Sequence, residues 1–434
     1  MRYKEALDWL YRRQRFGVRL GLENMEALLE RLDHPERAFQ SLHVTGTNGK
    51  GSVCAFLESC VRAAGHRVGL YTSPHLVSFR ERIRVDGEMV SEEEIGRGVE
   101  RLRPVVEALD ARRIVPTFFE VTTALAFDIF RARGVPFAVI EVGLGGRLDA
   151  TNLVVPVVSV ITNVGLEHTD RLGTSIQAIA GEKAGILRRG VPTVTGARRE
   201  ALDVIAKAAT RVGTSLRVVR RPDPIDESLE GCRFTFPYLG TPEPFHTTLL
   251  GEHQAENACL ALAALEAAQK SLPVPLDAAR RGIDSARWPG RLEVTGQKPL
   301  ALLDGAHNAP AMEALADFLR RRFPDGRVAA CVGILREKSA SRMLDILSPA
   351  VSRLVLTEAP SDRRLSAAEL ERCLPSDAPP HETIADPGEA LRALFQKGDE
   401  SVRLVTGSLF LVGEARARLL RLDRDPGMAH AVFQ

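Results

Sequence analysis

The run His43-Val44-Thr45-Gly46-Thr47-Asn48-Gly49-Lys50-Gly51-Ser52 decides the fold. Residues 41–45 are a short apolar, β-branched stretch that predicts a buried strand, and VCAFLESCVRAAG after Ser52 predicts a helix. Strand, glycine-rich turn and helix together make an anion cradle. The glycines let backbone N–H groups curl around a phosphate, the helix N-terminus adds positive potential, and Lys50 neutralises β- and γ-phosphate oxygens. The match to G-x-x-x-x-G-K-[ST] is imperfect in two places. Val44 stands where the first glycine belongs, and Gly51 follows Lys50 where the Mg²⁺-binding hydroxyl belongs. If Mg²⁺ is used, its hydroxyl ligand must come from elsewhere.

Outward from this loop, short apolar runs alternate with longer helical patterns, the rhythm of parallel βαβ construction. Further strands are expected at 68–72, 137–142, 157–162 and 191–195, followed by Ala-rich helices at about 252–270 and 277–286. The polar TGQKP at 295–299 reads as a linker. A second series, 300–304, 328–332, 353–357 and 402–406, follows it. The expectation is α/β throughout: an N-terminal P-loop ATPase-like parallel-sheet domain over 1–294 and a smaller Rossmann-like domain over 298–434. Residues 215–250, with strand-like FTFPYL and several prolines, predict an antiparallel appendage.

With 434 residues, 58 basic against 56 acidic side chains and a net charge of +2, the chain has no basic excess to make nucleic acid or a membrane surface its main partner. Its six cysteines are scattered without a C-x-x-C pair, so buried free thiols are expected rather than a zinc site or a disulfide framework. The N-terminal MRYKEALDWLYRRQRFG reads as an amphipathic helix, not a signal peptide, and a cytoplasmic protein is expected.

Three other strand ends carry polar groups. The strand at 68–72 runs into Ser73-Pro74-His75; that at 137–142 carries Glu141 and leads to GLGGRLDATN with Asp149; that at 157–162 leads to Glu167-His168-Thr169-Asp170. Ligands collect at the carboxyl ends of parallel strands, so these groups can converge on the nucleotide loop. Ser73 and Glu141 supply the oxygens a hard cation prefers, and His168 is an acceptable third ligand. Lys183 in AGEKAGI, taken alone, reads as a helical surface lysine among apolar neighbours.

The chain resembles folylpolyglutamate synthase, often also dihydrofolate synthase, of the Mur ligase superfamily. Nine blocks carry the resemblance in order: HVTGTNGKGS, YTSPHLVSFRERIRVDG, FEVTTALAF, EVGLGGRLDATN, GLEHTDRLGTSIQAIAGEKAGI, LGEHQAENACLALAA, WPGRLEV, DGAHNAPA and TGSLFLVGEA. It implies an ATP-dependent ligase that adds L-glutamate to a folate or dihydropteroate carboxylate in a cleft between two domains. By the same resemblance, Gly46, Thr47, Asn48, Gly49, Lys50, Gly51 and Ser52 wrap the ATP phosphates, and Ser73, Glu141 and His168 hold Mg²⁺. Lys183 matches the carbamylated lysine that helps hold a second Mg²⁺, which replaces the surface reading. Asn257 falls near adenine, Arg291 at phosphate and Asp304 at ribose. His307 and Ser408 fall at the incoming glutamate. Asp149, Thr122 and the Phe119-Glu120 pair lie near the pterin, and Arg80 stands where relatives often have asparagine. The resemblance also implies a monomer. A cell-wall Mur ligase is the alternative within the class, but those usually carry threonines after the lysine and a UDP-binding domain ahead of the loop. A non-catalytic nucleotide-binding module is the alternative outside it. Whether the acceptor is dihydropteroate, a reduced folate or both stays open.

Overall fold

The computed structural model describes residues 1–17 and 21–425, and it is α/β as the alternation predicts. Eight strands make the first sheet: β1 (Gln40–Thr45), β2 (Val68–Tyr71), β3 (Ile83–Val85), β4 (Glu88–Met89), β5 (Phe137–Glu141), β6 (Pro156–Ile161), β7 (Thr193–Thr195) and β8 (Leu216–Val218). Their order is β4-β3-β2-β5-β1-β6-β7-β8. Strands β3 and β4 form an antiparallel edge, and the remaining pairings are parallel. The chain leaves β1 on one side for β2 and β5, then crosses to β6 on the other. The order therefore reverses at β1, and a crevice opens beyond the carboxyl ends there.

The pleat sorts the side chains of β1 and β5. Leu42, Val44 and Val139 enter a core shared with the helices Lys50–Ala63 and Glu252–Ala268. Ala138 and Ile140 enter the opposite core, packed by the helices Tyr3–Arg12, Glu92–Ala111 and Phe118–Ala132. Burying each large apolar side chain contributes about 1.5–3 kcal/mol. Helix Glu252–Ala268 is buried nearly all round, so its alanines serve close packing rather than one amphipathic stripe.

The appendage is an antiparallel sheet of β9 (Ile225–Ser228), β10 (Gly231–Tyr238) and β11 (Thr241–Thr247), as FTFPYL predicts, but the start of the expected 215–250 segment is instead β8, a parallel strand of the first sheet. The last sheet holds β12 (Glu293–Gln297), β13 (Leu300–Leu303), β14 (Val328–Val332), β15 (Arg353–Leu356), β16 (His381–Thr383) and β17 (Val402–Thr406) in the order β12-β13-β17-β14-β15-β16. The expected linker at 295–299 is corrected here. Thr295, Gly296 and Gln297 belong to β12, an antiparallel edge strand on β13 whose register shifts between Val294 and Gly296. An edge strand with a bulge needs no apolar alternation, so its sequence looks like a loop. The break drawn between 294 and 298 therefore falls inside a hairpin.

Among the described residues all six cysteines are free, and five are buried. No helix among them is long and apolar enough to cross a membrane.

Candidate active site

The nucleotide loop is built by contacts across the sheet. Gly49 precedes the helix Lys50–Ala63 with φ of +83°, and a Cβ there would stand 2.4 Å from Asn257 Oδ1. Both conditions demand glycine. Gly51 is closely packed: a Cβ would lie 2.6 Å from the Trp288 indole, which would have to shift. The loop is held by the end of β6, where Thr162 Oγ1 donates to the Asn48 carbonyl (2.6 Å) and Asn163 Oδ1 accepts from Asn48 N (2.9 Å). Lys50 Nζ lies over the loop and donates to the carbonyls of Gly46 and Thr47, both at 3.1 Å.

A cavity of about 900 Å³ opens above this loop between the two large sheets. Its wall includes Thr47 through Ser52, Ser73, Glu141, His168, Asn257, Arg291, Asp304, His307 and Ser408. Residues separated by hundreds of positions thus share one chamber. Gly46 and Lys183 line a small neighbouring cavity that shares Lys50 and His168 with the first.

Glu141 ends β5, where Ser73 N donates to its Oε2 at 3.0 Å. Burial pushes its carboxyl up, while Lys50, that N–H, Arg291 and Arg82 oppose the shift. His168 has φ of +51° and is pushed down to about 4, chiefly by burial. It is therefore a neutral imidazole near neutral pH, the form that ligates metals. Lys183, the last residue of the helix Ile176–Lys183, is 4% exposed and pushed down to about 7 by burial and then by Lys50. It is not the surface lysine that its sequence alone predicts. A carboxylate, a hydroxyl and a neutral imidazole on one wall fit a hard divalent cation that keeps waters. Among the described residues no three His, Cys, Asp or Glu side chains gather closely enough to hold a metal by themselves.

Across the cleft, Asp304 accepts from Leu292 N and Ala306 N, both at 2.9 Å, and burial pushes its carboxyl up. Asn257 donates to Gln254 Oε1 (3.1 Å), and Ser408 Oγ caps the helix Leu409–Leu420 by accepting from Leu411 N (3.2 Å). His307 Nδ1 meets the Gly305 carbonyl at 2.7 Å, leaving Nε2 turned towards Glu167 at 3.4 Å.

Four expected pterin-side residues stand behind the wall. Asp149 is buried, and its oxygens accept from Leu144 N (2.8 Å), Thr151 N (3.0 Å) and Thr151 Oγ1 (2.6 Å). Thr122 is buried against Tyr71 and donates to the Phe119 carbonyl at 3.1 Å. Glu120 closes a capping box with Thr117, and Phe119 packs in the core, whereas the adjacent Phe118 reaches the cavity. Arg80 is spent on the Val90 carbonyl (2.6 Å). Arg82 was missed: it lines the cavity, donates to His75 Nδ1 at 2.7 Å and lies 5.4 Å from the Phe118 ring centroid. Its signal was present in SFRER, two residues beyond Arg80. Glu167 and Lys338 also face this space, Asn308 bonds Glu167 beside it, and nothing in the spacing of residues 308 and 338 announces that they meet Glu167.

Comparison with known proteins agrees with this architecture. Residues 44–265 match the model of the Mur ligase middle domain, and residues 290–409 that of the Mur ligase glutamate ligase domain. A Bacillus subtilis dihydrofolate synthase/folylpolyglutamate synthase is 38% identical over 427 residues, covering 96% of this chain and 99% of that protein. The crystal structure of folylpolyglutamate synthase from Thermotoga maritima superposes with a TM-score of 0.84 at 37% identity, covering 96% of each chain. Escherichia coli FolC in complex with DHPP and ADP gives 0.85 at 31% identity, covering 96% of this chain and 98% of that one. With its nucleotide loop, its two-sided cleft and relatives matched over nearly the whole length, the chain belongs to the folylpolyglutamate synthase/dihydrofolate synthase family of Mur ligases.

Proposed function

We propose that this chain joins L-glutamate to a folate-type carboxylate at the expense of ATP, accepting both dihydropteroate and tetrahydrofolate. The observation that carries the reading is the single cavity in which the nucleotide loop of one domain faces His307 and Ser408 of the other. The relative solved with DHPP and ADP supports the choice of ligands. A carboxylate does not form an amide with an amine in water, because its oxygen is a poor leaving group. The γ-phosphoryl group of ATP is transferred to that oxygen, giving an acyl phosphate and ADP. The glutamate amine attacks the acyl carbon, a tetrahedral intermediate forms, phosphate leaves with the C–O bond, and the amine loses its proton.

Phosphoryl transfer asks the protein for positioning and charge neutralisation, not for a covalent nucleophile. Gly46 to Ser52 surround the phosphates, with Lys50 and Arg291 opposing their charge, Asn257 beside adenine and Asp304 at the ribose. His307 and Ser408 receive the glutamate. Ser73, Glu141 and His168 would hold Mg²⁺, and Lys183 as its carbamate would serve a second ion, supplying further neutralisation of phosphate oxygens. The burial of Lys183 supports carbamylation, because a neutral amine is the form that adds carbon dioxide. Closure of the cleft keeps water from the acyl phosphate.

Lys50→Ala should abolish glutamate-dependent ADP formation and leave the thermal unfolding midpoint unchanged. Turnover at the wild-type rate would refute the role given to the loop.

A further inference from the structure

The carboxylate of Glu167 is the meeting point of the two domains inside the cleft. It sits on the loop after β6, between Asn163, which grips the nucleotide loop, and His168. Its side chain is only 9% exposed, yet it gathers three partners, and every one belongs to the second domain. Asn308 Nδ2 donates to Oε1 at 3.0 Å, Lys338 Nζ donates to the same oxygen at 2.9 Å, and His307 Nε2 stands 3.4 Å away. Asn308 also pairs reciprocally with Asn48 of the nucleotide loop: Asn308 Nδ2 donates to Asn48 Oδ1 (3.0 Å) and Asn48 Nδ2 to Asn308 Oδ1 (3.2 Å). One amide therefore touches both the nucleotide loop and the carboxylate that holds its neighbours. Bonds to an ionised acceptor are the strong and directional ones, and a buried carboxylate that loses its partners is costly to keep.

We propose that Glu167 is a positioning residue for amide formation: it fixes His307 and Lys338 against the nucleotide loop, with Asn308 as the link. The amine-side wall is then complete only when the second domain is seated on the first. The proposal rests on glutamate being the second substrate of this cleft. Surface ion pairs that merely join domains would not behave this way, because His307 and Lys338 line the cavity itself.

Two measurements test it on the full chain. In steady-state kinetics, Glu167→Gln should raise KM for glutamate by about tenfold or more, as loss of a charge-assisted bond predicts. KM for ATP should stay within about twofold of wild type, well under the tenfold step. Glu167→Asp, which keeps the charge and shortens its reach, should fall between the two. Equal changes in both KM values, or no change in either, would overturn the proposal. The second measurement needs no activity. Hydrogen exchange in Glu167→Gln, or in Glu167→Asp if the first does not fold, should quicken across residues 305–312 and 335–340 and stay unchanged in helix Glu252–Ala268. Unchanged exchange in these two segments would overturn the proposal. Wild-type protein that turns over no folate-type acceptor would instead defeat the proposed function, and the exchange result would still decide what Glu167 holds.

Discussion

At residue scale, the chain's departure from the common phosphate-loop pattern coincides with close packing against Trp288. A side chain at the position after Lys50 would require the Trp288 indole to shift, because a Cβ there would stand 2.6 Å from it. Trp288 belongs to the WPGRLEV block that also supplies Arg291 to the cavity, so the glycine lets the second block approach the loop. A hydroxyl is available instead at Ser73, whose backbone N–H already bonds Glu141. Lys183 shows how far an isolated sequence reading can miss. Its helix has small and apolar neighbours but no signature of depth, and the packing around it decides its chemistry. With isotopically labelled bicarbonate, a carbamate carbonyl resonance should appear in wild-type protein and be missing from Lys183→Ala. A spectrum without it in the wild type, at saturating bicarbonate, would remove the carbamate from the account.

At the scale of elements, the parallel strands were legible because buried β-branched runs ending in glycine have few other readings, and 328–332 and 402–406 coincide with β14 and β17. The short strands β3, β4, β8, β12 and β16, at a sheet edge or next to one, were not, since two to five residues carry little pattern. The turn after β5 was legible as functional but not in its construction. His43 Nε2 meets Thr151 Oγ1 at 2.9 Å, Thr151 donates to Asp149, and Asp149 accepts from Leu144 N, so a buried polar chain under the sheet shapes the turn that follows Glu141. Burial, and then the charge of Arg188, push His43 down to about 3. The unfolded chain binds its proton near pH 6.5, so between these values the unfolded state holds more protons than the native one. Stability contributed by neutral His43 is therefore present above about pH 6.5 and lost as pH falls towards 3, at up to about 1.4 kcal/mol per pH unit. In urea denaturation at pH 7 and pH 4, His43→Gln should lose less stability on acidification than wild type. An equal loss would show that His43 is not buried neutral.

At the scale of the whole molecule, the two domains are tied at sites that sequence spacing could not reveal. Leu76 and Val77, from the loop after β2, join an apolar cluster with Val405, Leu411, Val412 and Ala415 of the second domain. Arg321 Nε donates to Glu227 Oε2 (3.1 Å), which binds the appendage to the helix Ala309–Arg322. Asp425 accepts from Tyr3 OH (2.7 Å) and Ser78 Oγ (3.1 Å), returning the end of the described chain to the first domain. The cleft contacts of Glu167 complete the set. Residues at the ends of strands in one sheet could be grouped from the sequence alone, since parallel topology brings such ends together. Asn308 and Lys338 could not be grouped with Glu167, because their meeting depends on how one domain sits on the other. That seating is what the proposed reaction requires, with phosphates on one wall and the amine on the facing one. The most direct test is phosphate release from ATP and L-glutamate, run in parallel with dihydropteroate and tetrahydrofolate. The account predicts glutamate-dependent release with both acceptors, whereas no release above background with either would contradict it.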